Sequence, residues 1–267
     1  MTPVTVETIL KMKKAGEKIT CLTAYDFSFA SQLDSAGVDM VMVGDSLGMV
    51  MQGHDTTIPV RLDDMVYHSA CVARGLTRAL LIVDLPFGTY QSGPEQALAS
   101  SVRLMQEGGA QVVKLEGGQT VAESVRFLVD RSVPVCGHIG LTPQSVHKLG
   151  GYKLQGREKE DADRLQKDAL ALQDAGASML VLEAMPQSLA RKISESLRIP
   201  TIGIGAGVHC DGQVLVLQDM LGLYPRPSPK FSKNFLQGKG GISEALIEYV
   251  ESVRAGRFPG PEHSFDP

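Results

Sequence analysis

Short runs of apolar residues recur along the chain, and the polar stretches between them carry hydrophobic positions at helical spacing. The runs fall at 19–24, 41–44, 80–83, 111–115, 134–139, 179–182, 201–204 and 213–217. Few of them alternate with polar residues, so both faces of each strand are expected to be buried, the mark of a parallel sheet wrapped by helices. The spacing predicts helices over 6–15, 28–36, 62–74, 120–130, 159–175 and 187–197, with another starting at Pro94 and ending at Gly108-Gly109. Thr5 is placed to cap the first helix and Gly16 to end it. Eight strand–helix units in 267 residues point to α/β architecture, a closed (β/α)8 barrel, with a doubly wound open sheet as the alternative. The expectation is a single domain over 1–267. It has a short N-terminal helix, a barrel core at about 17–220 and a C-terminal extension at about 221–267. That extension is Pro-rich at 224–229, has one more helix near 243–255 and ends in a loose tail. Two connections, 47–61 and 140–157, are too long for ordinary turns and are expected to cover a site.

Composition alters this picture little. The chain is 43% hydrophobic and 21% charged, with a net charge of −4, so no basic face advertises nucleic acid or an anionic membrane. Cys21, Cys71, Cys136 and Cys210 lie far apart without a metal or redox spacing, which suits free thiols in a reducing compartment. No apolar run approaches the ~20 residues of a membrane span, and the N-terminus does not read as a signal peptide. A cytoplasmic protein is expected.

The chemistry gathers where the strands end. Asp45, Asp84, Glu116, His138 and Glu183 close five different strand runs, and in a parallel barrel those C-terminal ends form the active face. A lone aspartate after a strand is often a cap or turn former, but three acids on consecutive strands are better read as a set. Carboxylate oxygens suit Mg²⁺, which binds through few protein ligands and keeps room for substrate; histidine-rich sites suit Zn²⁺ or Fe²⁺ instead, and only His138 is placed for that. Lys114, flanked by Val113 and Leu115, must face a carboxylate or a substrate anion. Glu183 either pairs with Lys114 or serves as a general base. The run Gly203-Ile-Gly205-Ala-Gly207 fits a phosphate cradle or close packing at the rim.

Several blocks are specific enough to name a family. VGDSLGMVMQGHDTT from Val43, DLPFGTY from Asp84, VKLEGG from Val113, GHIGLTPQSV from Gly137, GYKLQGR from Gly151, VLEAMP from Val181 and the stretch from Ile202 to Gly222 resemble the ketopantoate hydroxymethyltransferases. The likeness runs from about Thr5 to Phe235. Ser178-Met179 and Val208-His209 look atypical, and the tail after Phe235 matches least. The resemblance implies a barrel of the phosphoenolpyruvate/pyruvate superfamily and a homodecamer of two pentameric rings. It also implies Mg²⁺-dependent transfer of a hydroxymethyl group from 5,10-methylenetetrahydrofolate to 3-methyl-2-oxobutanoate, giving 2-dehydropantoate in pantothenate biosynthesis. Carried over by position, it makes Asp45, Asp84 and Glu116 the metal site. Asp45, Ser46, Asp84 and Lys114 become the 2-oxo acid contacts and Glu183 the proton acceptor. Apart from the resemblance, His138 at its strand end is placed to assist by hydrogen bonding.

That chemistry runs through a metal-stabilised enolate, with Glu183 taking the proton on carbon 3. The nearest rival is another metal-enolate enzyme, a lyase or phosphonomutase acting on pyruvate or phosphoenolpyruvate; no Arg-rich loop for its partner is visible. A non-catalytic 2-oxo acid sensor is the rival from another class, and it would have no use for Glu183.

Overall fold

Alternate residues along each strand enter two different hydrophobic layers. Met40, Met42, Leu80, Ile82, Val112, Cys136, Met179 and Val181 fill the inside of a barrel, while Val41, Val43, Leu81, Val83, Val113, Val135 and Leu180 pack outward against helices. The structure, a computed structural model, describes residues 2–266. Its strands are β1 (Ile19–Thr23), β2 (Met40–Val43), β3 (Leu80–Asp84), β4 (Val112–Glu116), β5 (Val135–Gly140), β6 (Met179–Glu183), β7 (Thr201–Ile204) and β8 (Gly212–Leu215). They pair in sequence order, all parallel, and β8 closes on β1. The closed (β/α)8 barrel is therefore the observed fold.

The same parity, continued to the strand ends, sets the site. Asp84 follows Leu80 and Ile82 on the inner face; Lys114 and Glu116 follow Val112; His138 follows Cys136; Glu183 follows Met179 and Val181. Hydrophobic side chains fill the lower barrel, and charged ones occupy its upper mouth.

The helices are α1 (Val6–Ala15), α2 (Phe27–Ser35), α3 (Leu47–Val50), α4 (Leu62–Gly75), α5 (Pro94–Gln106) and α6 (Ala122–Val129). After these come α7 (Val146–Leu149), α8 (Lys159–Asp174), α9 (Gln187–Ser196), α10 (Leu217–Met220) and α11 (Ile242–Arg254). Thr5 caps α1 by accepting from the Thr8 N–H, and Gly16 ends it in the left-handed conformation. The two long connections fold over the barrel mouth and carry α3 and α7.

The C-terminal segment is built into the wall. Tyr249 of α11 is fully buried, and its hydroxyl lies 2.8 Å from the Cys21 carbonyl and 3.0 Å from the Gln213 carbonyl, across the β1–β8 seam. Phe235 and Phe258 meet edge-on at a ring separation of 5.3 Å, and Phe235 packs the same way on Tyr249. The tail, expected to be loose, is tied down. The Phe265 carbonyl accepts from the Gln187 N–H at 2.9 Å, and the Ser264 carbonyl accepts from Lys230 Nζ at 2.7 Å.

Candidate active site

A cavity of about 500 Å³ opens at the C-terminal ends of the strands, with Asp45, Ser46, Asp84, Lys114, Glu116, His138 and Glu183 in its wall. The seven residues given metal, substrate, base or assisting roles thus line one space. Strand register explains part of this, since Asp84 stands beside Lys114 and Glu116 beside His138 on neighbouring strands.

Lys114 is the centre of charge. Its side chain is 4% exposed, and its ammonium lies 3.1 Å from Asp84 Oδ2 and 3.3 Å from His138 Nδ1. Burial alone would lower its pKa, but the carboxylates of Asp84, Glu116 and Asp45 outweigh burial and hold it above the usual lysine range. The partner of Lys114 is therefore Asp84, while Glu183 faces His138.

Asp45 lies just past β2. Its backbone N–H donates to Asp84 Oδ2 at 3.1 Å, and its Oδ2 accepts from Gln144 Nε2 at 2.8 Å. Burial, followed by repulsion from Asp84 and Glu116, pushes the Asp45 carboxyl well up; burial also raises Asp84, against the pull of Lys114. Glu116 Oε2 accepts from the Gln144 backbone N–H at 3.0 Å, and its Oε1 is 3.4 Å from His138 Nδ1. Ser46 Oγ shares a hydrogen bond of 2.8 Å with the Tyr25 hydroxyl.

His138 joins the two acids Glu116 and Glu183. Its Nε2 lies 3.2 Å from Glu183 Oε2 but off the line of a hydrogen bond. Burial and the Lys114 ammonium press its pKa down, and the two carboxylates outweigh them, leaving it up at about 9. The Glu183 side chain is the freer acid, 14% exposed against 3% for His138. The turn behind Glu183 is held stiffly. Ala184 sits at φ +46, a rare conformation for a residue with a side chain, fixed by its N–H on the Ile204 carbonyl and its own carbonyl on the Gln155 N–H. Gly140 at φ +95 passes so close to the Glu183 carbonyl that a Cβ there would lie 2.2 Å from the oxygen.

Four contributors escaped sequence reasoning. Gln144 grips Asp45, the Leu85 carbonyl and, through its backbone, Glu116; Tyr90 donates to Gln144 Oε1 at 2.6 Å. Tyr25 steadies Ser46, and Asp219, just after β8, lines the far side of the cavity. Gln144, Tyr90 and Asp219 sit inside the specific sequence blocks, the one signal that marked them. The glycine run after β7 is explained by packing, because the places a Cβ would take at Gly203, Gly205 and Gly207 are filled by Cys210, Phe231 and Gln187.

The acids fit a divalent cation that takes few protein ligands. Among the described residues no three His, Cys, Asp or Glu side chains converge on one ion position, so a closed protein cage for Zn²⁺ is absent. Asp84 Oδ1 and Glu116 Oε1 are nevertheless buried without a hydrogen bond, and the carboxylates here outnumber the cations. A cation would satisfy those oxygens and reverse the repulsion that lifts Asp45. Mg²⁺, with its reliance on substrate and water oxygens, matches this donor set.

Comparison with known proteins places the chain. Residues 3–261 match the family model for ketopantoate hydroxymethyltransferase. A 3-methyl-2-oxobutanoate hydroxymethyltransferase from Ralstonia nicotianae is 60% identical over 98% of this chain and 95% of its own length. The enzyme of the same name from Magnetococcus marinus is 56% identical, covering 98% of both. Among solved structures, a putative phosphonomutase from Burkholderia cenocepacia superposes with a TM-score of 0.65 at 15% identity, over 81% of this chain and 94% of that one. A phosphonopyruvate hydrolase in complex with oxalate and Mg²⁺ gives 0.62 at 11% identity, over 96% and 97%. At such identities these two share the barrel fold alone.

Proposed function

The chain belongs to the ketopantoate hydroxymethyltransferase family, and from that membership we propose how its site works and what it requires. The activity is that of the family, hydroxymethyl transfer to 3-methyl-2-oxobutanoate to make ketopantoate (2-dehydropantoate) for pantothenate synthesis. The proposal adds 5,10-methylenetetrahydrofolate as the one-carbon donor and Mg²⁺ as the cation.

Asp45 and Asp84 would hold Mg²⁺, with Glu116 behind them, pinned by His138 and the Gln144 backbone. Bound there, Mg²⁺ supplies positive charge to the keto oxygen and so acidifies carbon 3 of the 2-oxo acid. Lys114 anchors the substrate's anionic group with a charge its carboxylate neighbours keep in place. Ser46, oriented by Tyr25, adds a hydroxyl to the same anchor. Glu183 removes the proton from carbon 3, and that carbon bonds to the methylene carbon of the donor. The bonds from the methylene carbon to the folate nitrogens break to release tetrahydrofolate, and one water supplies the hydroxyl of the product. His138, standing between Glu116 and Glu183, positions Glu183. The 47–61 and 140–157 connections shield the site from water.

The observation that carries this reading is the buried Lys114 between Asp84 and His138, with a partly buried carboxylate, Glu183, on the far side of the imidazole. A 2-oxo acid is small and anionic, and this pair supplies an anion anchor and a base in one cavity. The test is product formation from both substrates with Mg²⁺ and after chelation. Turnover that depends on all three supports the reading; undiminished turnover in chelator contradicts the metal assignment.

The remaining parts of the proposal concern the whole molecule. We propose one folding domain over 1–267, supported by the burial of Phe235, Tyr249 and Phe258 in the core shared with the barrel helices. The family resemblance supports a homodecamer, which the mass in solution tests. No helix among the described residues is long and apolar enough to cross a membrane, and a cytoplasmic location is proposed with the pathway.

A further inference from the structure

Eight buried side-chain polar atoms lack a hydrogen-bond partner among the described residues, and six of them belong to residues lining the cavity at the strand ends. Three of the six, Asp84 Oδ1, Glu116 Oε1 and His138 Nε2, lie at the reaction end already described. The other three are Thr57 Oγ1, Asp219 Oδ1 and Tyr224 Oη, contributed by the 47–61 connection and the segment after β8. Polar atoms out of water without partners are costly, and their concentration in a ligand cavity marks groups that await one.

Asp219 sets the chemistry of this second group. It is 8% exposed, its Oδ1 accepts no hydrogen bond, and among the described residues no Lys, Arg or His side chain forms an ion pair with it. A carboxylate has acceptors only, so its complement is a pair of N–H donors side by side. The hydroxyls of Thr57 and Tyr224 can each give or take a hydrogen bond. The cavity they share is also lined by Met49, Val50, Tyr152, Pro227 and Phe231, largely apolar surface that suits the faces of a flat ring.

From this arrangement we propose that Asp219 anchors the aminopyrimidine edge of a reduced pterin, the head group of the one-carbon donor. The two oxygens of Asp219 receive the N3–H and the 2-amino group, while Thr57 and Tyr224 serve the ring carbonyl and the remaining N–H. The pterin thereby lies in the same cavity as the 2-oxo acid, opposite the Lys114 end. The inference rests on the folate reading given above, and it adds the residues that read the donor.

The test is a titration of wild type, Asp219→Asn and Tyr224→Phe with tetrahydrofolate, with 6-methyltetrahydropterin, which lacks the benzoylglutamate tail, and with 3-methyl-2-oxobutanoate. Asp219→Asn keeps the shape and replaces one acceptor with a donor, and its expected effect is an increase of about ten- to hundredfold in Kd for both pterin ligands. Tyr224→Phe removes one unpaired hydroxyl, with an expected loss of about three- to tenfold, and decides the matter if the aspartate variant fails to fold. The Kd for the 2-oxo acid should stay within about twofold in both variants. Pterin binding within about twofold of wild type, or an equal loss for pterin and 2-oxo acid, overturns the inference while leaving the folate reading intact. Wild-type protein that binds 2-oxo acid but neither pterin ligand overturns the folate reading and this inference together.

Discussion

Replacing Lys114 with methionine keeps most of the side-chain stem and deletes one charge from the middle of the site. In the wild type the ammonium is 3.1 Å from Asp84 Oδ2 and both side chains are 4% exposed. Without it, Asp84 keeps one donor on Oδ2, the Asp45 backbone N–H at 3.1 Å, and none on Oδ1. Removing one member of a buried ion pair costs about 3–5 kcal/mol, because the survivor is left charged and poorly solvated. The loss should depend on pH. Burial already raises the Asp84 pKa and Lys114 is the strongest influence restraining it, so the variant carries Asp84 higher still. A carboxyl whose folded pKa exceeds its unfolded value penalises the fold while ionised, and the penalty fades as pH falls through the folded value. In urea titrations the stability gap between variant and wild type should be widest near about pH 8 and narrow toward about pH 5. The lost anchor should also raise the Kd for 3-methyl-2-oxobutanoate by about ten- to hundredfold, the worth of one charge-assisted contact. Equal stability at the alkaline end with an unchanged Kd would refute the assignment of Lys114 as a buried, paired anion anchor.

Two further expectations follow from particular contacts. Gly140→Ala places a Cβ 2.2 Å from the Glu183 carbonyl at φ +95, so β5 and β6 must part beside the base. We expect a loss of about 2–4 kcal/mol in stability and a fall in kcat exceeding any change in KM; a variant within about 0.5 kcal/mol of wild type would contradict the close approach. Chelation of Mg²⁺ should stop turnover but leave the melting curve with a single transition, since the barrel core does not depend on the acids at its mouth; two transitions would contradict the one-domain proposal.

The barrel was legible because its strands are apolar on both faces, and parity then carried Asp84, Lys114, Glu116, His138 and Glu183 to one interior. Pairings were less legible. Lys114 had to meet a carboxylate, but only the register of β3 on β4 selects Asp84 over Glu183. Asp45 follows its strand, outside the parity, and its orientation depends on Gln144 from a distant loop. Such loop residues carry no periodicity, and neither do the one-turn helices α3, α7 and α10. The C-terminal segment read as an extension because Pro and Gly separate it from the strands; Tyr249 reaching the β1–β8 seam is a contact between residues 228 apart in sequence. Asp219 lies within the family-like block from Ile202 to Gly222, but nothing in that block gives it a role, and its unpartnered burial is a tertiary property.

In the proposed mechanism Glu183 is the base that opens the reaction, and one measurement addresses that role directly. Deuterium exchange at carbon 3 of 3-methyl-2-oxobutanoate, followed by NMR with Mg²⁺ present, reports proton removal without waiting for one-carbon transfer. Wild-type protein should catalyse the exchange, while Glu183→Gln should bind the 2-oxo acid with near-normal affinity and exchange it at the uncatalysed rate. Exchange by Glu183→Gln at the wild-type rate would place the base elsewhere and contradict the proposed mechanism.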